Sequence, residues 1–404
     1  MNWNNLKTSL TFWIVVALIA GVLTGIFFPE FAKNMDVFSK IFLKLIKTIV
    51  APLLFSTLII GIAGHADMKQ VGRMGWKSIL YFEIVTTIAL LFGLIAANVI
   101  RPGDGIDLSS IQKTGDIVAQ KQDWKDIILH TFPENIAKSV AEGQVLQIVV
   151  FSIFFAIGLS MITKPQHKQT MLEWTESLAE VMFKFTKIVM YFAPLGVFGA
   201  MSYAVGKMGT SIFGPILKLV LTLYGSLFFF ILLVLLPIAL LMKINIPKFL
   251  KAVSEPVSIA FGTASSEAAL APAMQKLEAY GVPRKFVAFV LPTGMSFNLD
   301  GSTLYLATAA VFVAQAQGIE MSVGQQVVMM LTLMLTSKGV AGVARASLVI
   351  LMGTIAMFGL SETPIYIILA VDVIMDMART SVNMLGNCLA TVVVTKWEGE
   401  GKDL

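Results

Sequence analysis

One apolar segment near the carboxyl end of the chain carries six polar side chains at helical spacing. They form what we call the polar stripe, which comprises Asp372, Asp376, Arg379, Thr380, Asn383 and Asn387. At about 100° per residue, a helix brings all six within an arc of roughly 100°. Carboxylate, guanidinium, hydroxyl and amide groups on one face can bind charged groups of either sign. The polar stripe is therefore a candidate binding site.

The composition identifies the solvent around the polar stripe. Apolar residues make up 56% of the 404, charged residues only 14%, and the mean hydropathy is +0.81, whereas soluble proteins have about 25% charged residues. These values predict a membrane protein with many spans. The first apolar run, Leu10 to Phe28, exceeds the roughly 7 to 15 apolar residues of a signal peptide, so we expect it to remain as the first span. Because a charged side chain inside a membrane is costly, its presence indicates a functional site.

Basic residues cluster in links that the positive-inside rule assigns to the cytoplasm. Residues 104–142 lack this excess and are predicted to lie outside, so both termini should be cytoplasmic. The basic residues then need no nucleic-acid partner. Because Cys388 is the one cysteine, an internal disulfide is excluded, and its apolar setting favours packing. The basic clusters lie at residues 69–77, 164–168, 243–251 and 284–285.

Six apolar stretches approach or exceed the roughly 20 residues that a bilayer-spanning helix needs. The polar segment 101–143 contains Pro102-Gly103 and Pro133, and is predicted to be an external excursion. The six predicted spans lie near residues 10–28, 38–64, 76–100, 145–162, 178–205 and 213–242.

After Pro247, small and polar stretches at 258–269 and 337–347 interrupt the apolar sequence, and a longer apolar helix follows each. Irregular backbone at membrane depth must be buried in protein or line a cavity. We therefore predict two re-entrant helical hairpins, a pattern typical of an inverted-repeat transporter with a site at the midplane. The alternative is two kinked spans with Gly and Ser at packing faces.

The middle of the seventh predicted span contains a second polar group. Gly294 and Gly301 weaken the helix there, and Asn298 and Asp300 supply amide and carboxylate oxygens. Such oxygens suit a hard cation such as Na⁺, or a proton. Alternatively, the two side chains cap the broken helix ends.

The two hairpin tips supply the remaining groups of the predicted site. The first contains Ser265 and Ser266, where a helical half is predicted to begin, and a helix N-terminus can bind a carboxylate. The Gly- and Ala-rich second tip can move as a gate. On the polar stripe, Arg379 can bind a carboxylate bidentately and Asp376 an ammonium group. Together these groups fit an acidic amino acid, unless Arg379 only forms internal salt bridges with Asp376 or Asp372.

These residues give the chain a resemblance to the dicarboxylate/amino acid:cation symporter family, which includes archaeal sodium/aspartate transporters, bacterial proton/glutamate symporters and animal excitatory amino-acid transporters. The resemblance covers nearly the whole chain. Its motifs are Ser265-Ser266, Asn298-Leu299-Asp300-Gly301-Ser302, Gly339 to Gly342, and Asp372 to Asn387.

The resemblance implies an all-α polytopic membrane protein with eight transmembrane helices and two re-entrant hairpins. It would be a homotrimeric, elevator-type transporter with inverted repeats. Residues 1–68 and 104–206 would form the scaffold, and residues 69–103 and 207–404 the transport domain. The predicted substrate-binding residues are Ser265, Ser266, Ser302, Val343, Ser347, Asp372, Asp376, Arg379, Thr380 and Asn383.

Departures from the sodium-coupled members favour proton coupling. Asn387 replaces an Asp that is a sodium ligand, Leu299 replaces Met, and Phe82 and Val85 stand where those relatives offer oxygen. The second tip also has an unusual Ala344-Arg345. A proton carrier needs a carboxyl that desolvation can keep protonated near neutral pH, and the candidates are Glu83, Glu267, Asp300 and Asp372. The residual cation site would comprise Gly294, Ser296, Asn298, Asp300, Ser337, Asn383 and Asn387.

We therefore expect a secondary-active symporter that imports glutamate or aspartate with protons across a bacterial inner membrane. The alternatives are a sodium-coupled carrier, a cystine or C4-dicarboxylate carrier of the same fold, and an ion channel. Three His and one Cys offer neither a metal cluster nor a nucleophile pair, so we expect no enzyme and no bound cofactor. The expected partners are the substrate, membrane lipids and two further copies of the chain, with H⁺, or Na⁺, as the transported ion.

Overall fold

The computed structural model describes residues 10–63, 68–106, 132–142, 144–337 and 346–401, and every regular element of these residues is a helix. The predicted all-α class is confirmed. Four described stretches are long and apolar enough to cross a bilayer, namely Pro29–Ile60, Met74–Ile100, Ala193–Leu241 and Arg284–Ala316. The shorter apolar helices are Phe12–Phe27, Gln147–Ser160 and Val323–Thr336.

The helices follow one another closely along the described chain. The helices before residue 210 are α1 (Leu10–Phe27), α2 (Pro29–Ala32), α3 (Asp36–Ala63), α4 (Met68–Ile100), α5 (Ile136–Ala141), α6 (Val145–Ser160), α7 (Pro165–Met190) and α8 (Ala193–Met208). Those after it are α9 (Phe213–Phe230), α10 (Leu236–Leu241), α11 (Ile246–Thr263), α12 (Ser266–Tyr280), α13 (Arg284–Phe297), α14 (Asp300–Ala316), α15 (Val323–Thr336), α16 (Ala346–Met357) and α17 (Ile365–Trp397). A π-helical turn, Ile231–Leu235, joins α9 to α10.

The helices pack as two groups. In the first bundle, which comprises α1, α3, α6, α7 and α8, α1 lies against α8, and α3 contacts α6, α7 and α8. The second bundle comprises α4, α9 and α11 to α17, with α14 packed on α4 and with α17 contacting α9, α11, α13 and α14. The bundles meet mainly where α8 contacts α17.

Burial places α14 and α17 at the centre of the second bundle. All residues of α14 except Gln315 are buried, and so is the complete polar stripe. Large apolar side chains on peripheral helices are instead exposed, among them Leu23, Leu91 and Leu221. Exposed Leu at these positions fits helices that face lipid.

Local sequence explains several helix ends. The Asn245 side chain caps α11 by accepting from the Lys248 N–H (3.1 Å), and Ser322 and Gln325 form a reciprocal capping box on α15. The residue after α12, Gly281, has φ of +118°, a conformation that glycine adopts readily.

Two predicted boundaries were wrong. The fifth span, predicted at 178–205, is divided into α7, which begins at Pro165, and α8. Pro194 lies in the first turn of α8, where a missing N–H costs no helical hydrogen bond. The helix-poor stretch predicted at 258–269 contracts to Ala264 and Ser265, because the residues on both sides continue α11 and α12. The small, polar residues of this stretch have low helix propensity, but tertiary packing keeps the residues on both sides of the tip helical.

Candidate substrate and ion site

The seventh predicted span is broken opposite the polar stripe. Asn298 and Leu299 separate α13 from α14, as predicted from the sequence. Gly301 allows the break to approach α17, because a Cβ there would collide with the backbone carbonyl oxygen of Arg379. The start of α14 therefore rests directly on the helix that carries the charged side chains.

Two more glycines bring polar groups of the two elements together. A Cβ on Gly386 would collide with the Asp300 carboxylate, and one on Gly294 with the Asn387 amide. The Phe82 ring of α4 lies beside the same position, 3.4 Å from where the Cβ of residue 294 would stand. Close packing thus places the Asp300 side chain against the backbone of α17 at Gly386, and the Asn387 side chain against the backbone of α13 at Gly294.

Asn383 joins the polar stripe to the start of α14. Its Oδ1 accepts from the N–H groups of Gly301 (2.8 Å) and Ser302 (3.2 Å), and its Nδ2 donates to Ser302 Oγ (2.9 Å). These are free N–H groups of a helix N-terminus. Asn383, predicted to contact substrate and cation, therefore has its amide occupied in capping α14.

Arg379 is ion-paired with both aspartates of the polar stripe. Its Nε donates to Asp376 Oδ1 (2.7 Å) and its Nη1 to Asp372 Oδ1 (3.1 Å). All three side chains are buried. The internal salt bridges considered in the sequence analysis are thus formed, and they offset part of the cost of burying the charges.

The ion-paired cluster retains binding capacity. Arg379 Nη2 is buried and has no hydrogen-bond partner among the described residues. Asp376 uses Oδ1 for Arg379 and for the Thr380 hydroxyl (3.1 Å), and no described residue donates to its Oδ2. One guanidinium N–H₂ and one carboxylate oxygen are therefore available, with opposite charges, one helical turn apart.

Tyr305 is a site residue that the sequence pattern did not identify. Its ring centroid lies 4.3 Å from the Arg379 guanidinium carbon, and its hydroxyl donates to Asp372 Oδ1 over 3.4 Å. The ring face attracts the cation and holds its plane. The available signal was spacing, because Tyr305 follows Gly301 by one turn and therefore shares the face of α14 that meets Arg379.

Several buried oxygens lie around the helix break. Asn298 Nδ2 donates to Asp300 Oδ2 (3.1 Å), while Asn298 Oδ1 and Asn387 Oδ1 have no hydrogen-bond partner among the described residues. The buried Tyr81 hydroxyl also has none. Amide and hydroxyl oxygens can bind a small cation or water. Ser296, also predicted here, is half-buried, and the described residues contain no group of three His, Cys, Asp or Glu that could hold a metal.

The first hairpin tip has the predicted helix start. Ser265 Oγ accepts from the Ala268 N–H (3.3 Å) and caps α12, while Ala264 takes a left-handed conformation with φ of +49°. Ser265 and Ser266 are half-buried, and both α11 and α12 pack on α17. The tip therefore combines a partly open helix N-terminus with contact to the helix of the polar stripe.

The second hairpin tip is only partly described. The Ser337 hydroxyl donates to the Met334 carbonyl (3.1 Å), and Ser347 is buried at the start of α16. Val343 and the rest of residues 338–345, including Arg345, lie outside the described residues. Among the four proposed proton carriers, Asp300 and Asp372 are fully buried, whereas Glu83 is half-buried and Glu267 exposed.

The fold and the site define a class of protein. A helical membrane protein with a broken helix at a buried, charged site is typical of secondary transporters. The sequence model of the sodium:dicarboxylate symporter family matches residues 10–397. The chain belongs to this family, and the resemblance predicted from its motifs is confirmed.

Bacterial relatives match almost the whole chain. The proton/sodium-glutamate symport protein of Bacillus caldotenax is 42% identical over 405 residues, which cover 98% of this chain and 96% of the relative. The proton/glutamate-aspartate symporter of Escherichia coli K12 is 41% identical, with 98% and 94% covered. The C4-dicarboxylate transport protein of Bacillus subtilis is 37% identical, with 97% and 94% covered.

Proposed function

We propose that this protein is a secondary-active symporter that imports glutamate or aspartate together with protons across a bacterial inner membrane. The observation that carries the proposal is that two atoms on one buried face, Arg379 Nη2 and Asp376 Oδ2, have no hydrogen-bond partner among the described residues. The guanidinium would bind the side-chain carboxylate, and Asp376 the ammonium group. The helix N-terminus at Ser265 and Ser266 would bind the α-carboxylate.

In the proposed transporter, the two bundles have different roles. The first bundle would be the scaffold and the second the moving transport domain, in a homotrimer with eight transmembrane helices, two re-entrant hairpins and cytoplasmic termini. The separate packing of α1, α3, α6, α7 and α8 from the remaining long helices supports this division. The second hairpin would be the outer gate.

Burial favours two of the four candidate proton carriers, Asp300 and Asp372. Both side chains are fully buried, and binding a proton lowers the cost of keeping a carboxyl group away from water. Glu267, at the start of α12, is exposed in the isolated chain and is not enclosed in this way. A sodium-coupled carrier is the second candidate, and the unpartnered oxygens of Asn298 and Asn387 favour it.

The coupling ion can be tested in proteoliposomes. We expect labelled glutamate to enter in sodium-free buffer when a pH gradient is imposed, and a protonophore to abolish its accumulation. Uptake that requires a sodium gradient would establish the second candidate instead. Counterflow that saturates with substrate would exclude an ion channel.

Asp376 tests the substrate class. Its replacement by asparagine removes the ammonium partner, and a hydrogen bond between charged groups contributes about 1.5–3 kcal/mol. We therefore expect glutamate affinity to fall about 10- to 100-fold, while succinate, which has no ammonium group, competes as well as before. If succinate is the better substrate of the unchanged protein, or glutamate affinity survives the substitution, the amino-acid assignment is wrong. Cystine competition tests the remaining alternative.

A further inference from the structure

Among the described residues, one ion pair joins the two bundles. Lys47 on α3 donates from Nζ to Oε1 of Glu362, which lies in the link between α16 and α17, at 2.5 Å. The other ion pairs between described residues each lie within one bundle or its adjoining links. About half of each side chain is exposed, 48% for Lys47 and 41% for Glu362. The pair can therefore open into water without leaving a buried charge.

The link that carries Glu362 is fastened to the second bundle. Gln317, directly after α14, accepts from the Ser361 N–H (2.8 Å) and donates to the Ser361 carbonyl (3.3 Å). The Leu360 N–H donates to the Ile355 carbonyl of α16 (3.0 Å). A force on Glu362 therefore acts on α14 and α16 rather than on a loose connection.

The packing of the two hairpins identifies the conformation. Both arms of the second hairpin, α15 and α16, contact α6 of the first bundle, and α16 also contacts α3. The first hairpin, α11 and α12, packs chiefly on α13 and α17 of its own bundle. Basic links at Lys243 and Arg284 flank this hairpin and mark the cytoplasmic side. The first bundle thus covers the second hairpin, which we expect on the outer side, and leaves uncovered the first hairpin, which we expect on the cytoplasmic side. With this orientation the arrangement is inward-facing.

We propose that the Lys47 and Glu362 ion pair stabilises this inward-facing arrangement and breaks when the second bundle moves outward. The inference rests on the proposed function, because it assumes that one bundle moves against the other. An exposed ion pair shifts a two-state equilibrium by about two- to fivefold. The pair therefore sets the balance between inward and outward states without blocking transport.

Pulsed electron paramagnetic resonance measures this balance without substrate. Spin labels are attached to Lys44→Cys on α3 and Ala356→Cys on α16, both exposed, in a Cys388→Ala background. We expect two distance populations, and each of Lys47→Gln and Glu362→Gln should lower the inward-facing one about two- to fivefold relative to the other. The double neutral variant should show no larger effect than either single variant, because the residues act as one pair. Exchanging the two charges should restore the original ratio.

A matched control separates this pair from general charge effects. Glu30→Gln removes the ion pair between Glu30 and Lys33, which lies at α2, between α1 and α3 of the first bundle. This substitution should leave the ratio unchanged. The proposal is overturned if the single variants leave the ratio unchanged, if their effects add, or if the control has the same effect. Glutamate binding and uptake are measured on the same proteins. A protein that neither binds nor transports acidic amino acids would refute the proposed function, while the distance populations still decide the role of the ion pair.

Discussion

Replacement of Asn383 by alanine should destabilise the empty protein as well as weaken substrate binding. Its Oδ1 accepts from the N–H groups of Gly301 and Ser302 at 2.8 and 3.2 Å, and its Nδ2 donates to Ser302 Oγ at 2.9 Å. Alanine leaves both buried N–H groups without an acceptor. Each such group costs about 1–3 kcal/mol, so we expect a loss of at least about 2 kcal/mol of stability.

Thermal unfolding of the substrate-free protein in detergent measures this loss. A destabilisation of 1 kcal/mol lowers Tm by roughly 2–4 °C in domains of 150–250 residues and by less in larger units, so we expect Tm of this 404-residue chain to fall by a few °C. Thr391→Val is a matched control on the same helix, because its buried hydroxyl bonds only the Asn387 carbonyl (2.8 Å), and it should lower Tm less. If Tm of Asn383→Ala stays unchanged while substrate binding weakens, Asn383 is a substrate ligand and the capping argument is refuted.

Substitutions at three further positions test the site and its support. Tyr305→Phe keeps the ring over the guanidinium and should retain glutamate affinity within about threefold, whereas Tyr305→Leu should lower it about tenfold, the effect of about 1.4 kcal/mol of cation–π energy; equal effects of both in a binding assay would contradict this. Gly301→Ala should prevent recovery of folded protein by size-exclusion chromatography, whereas Gly225→Ala, where a Cβ meets open space, should not. Lys77→Met breaks a nearly buried ion pair with Glu398 (2.5 Å) and should lower Tm, and replacing both residues by Met should recover part of it; a double variant no more stable than Lys77→Met would argue against the pair.

Local chemistry was sufficient to predict the broken helix and the polar stripe. Gly301 and the polar residues before it disfavour a continuous helix, and the break lies at Asn298 and Leu299. The spacing from Asp372 to Asn387 defines one face of any helix, and that face is buried against α13 and α14. Both inferences depend on neighbours in sequence, which is why they did not require the tertiary fold.

Tertiary packing determined what the sequence could not assign. Whether Arg379 pairs internally or stays open depends on its rotamer, and Tyr305 from another helix packs its ring against the guanidinium in the paired rotamer. Similarly, Asn383 could face a ligand or cap α14, and only the close approach at Gly301 decides between them. Side-chain types predicted the chemistry of the site, but the partner of each polar atom depended on contacts between residues about 70 to 80 positions apart in the chain.

The charges of the described site explain why transport should require a coupling ion. Three buried carboxylates, Asp300, Asp372 and Asp376, face one guanidinium, Arg379, so the empty site has a formal charge of −2 when all are ionised. Glutamate would add one more negative charge. Each uncompensated charge in a low-dielectric interior costs several kcal/mol, so protons or cations that bind together with the substrate would lower the cost of occupying the described site. Asn387 carries an amide where the resemblance to the sodium-coupled members implies a carboxylate, and this difference lowers the number of positive charges required by one. A proton on Asp300 or Asp372 meets part of this requirement without any further ligand, and this electrostatic argument connects the missing charge at Asn387 to proton coupling.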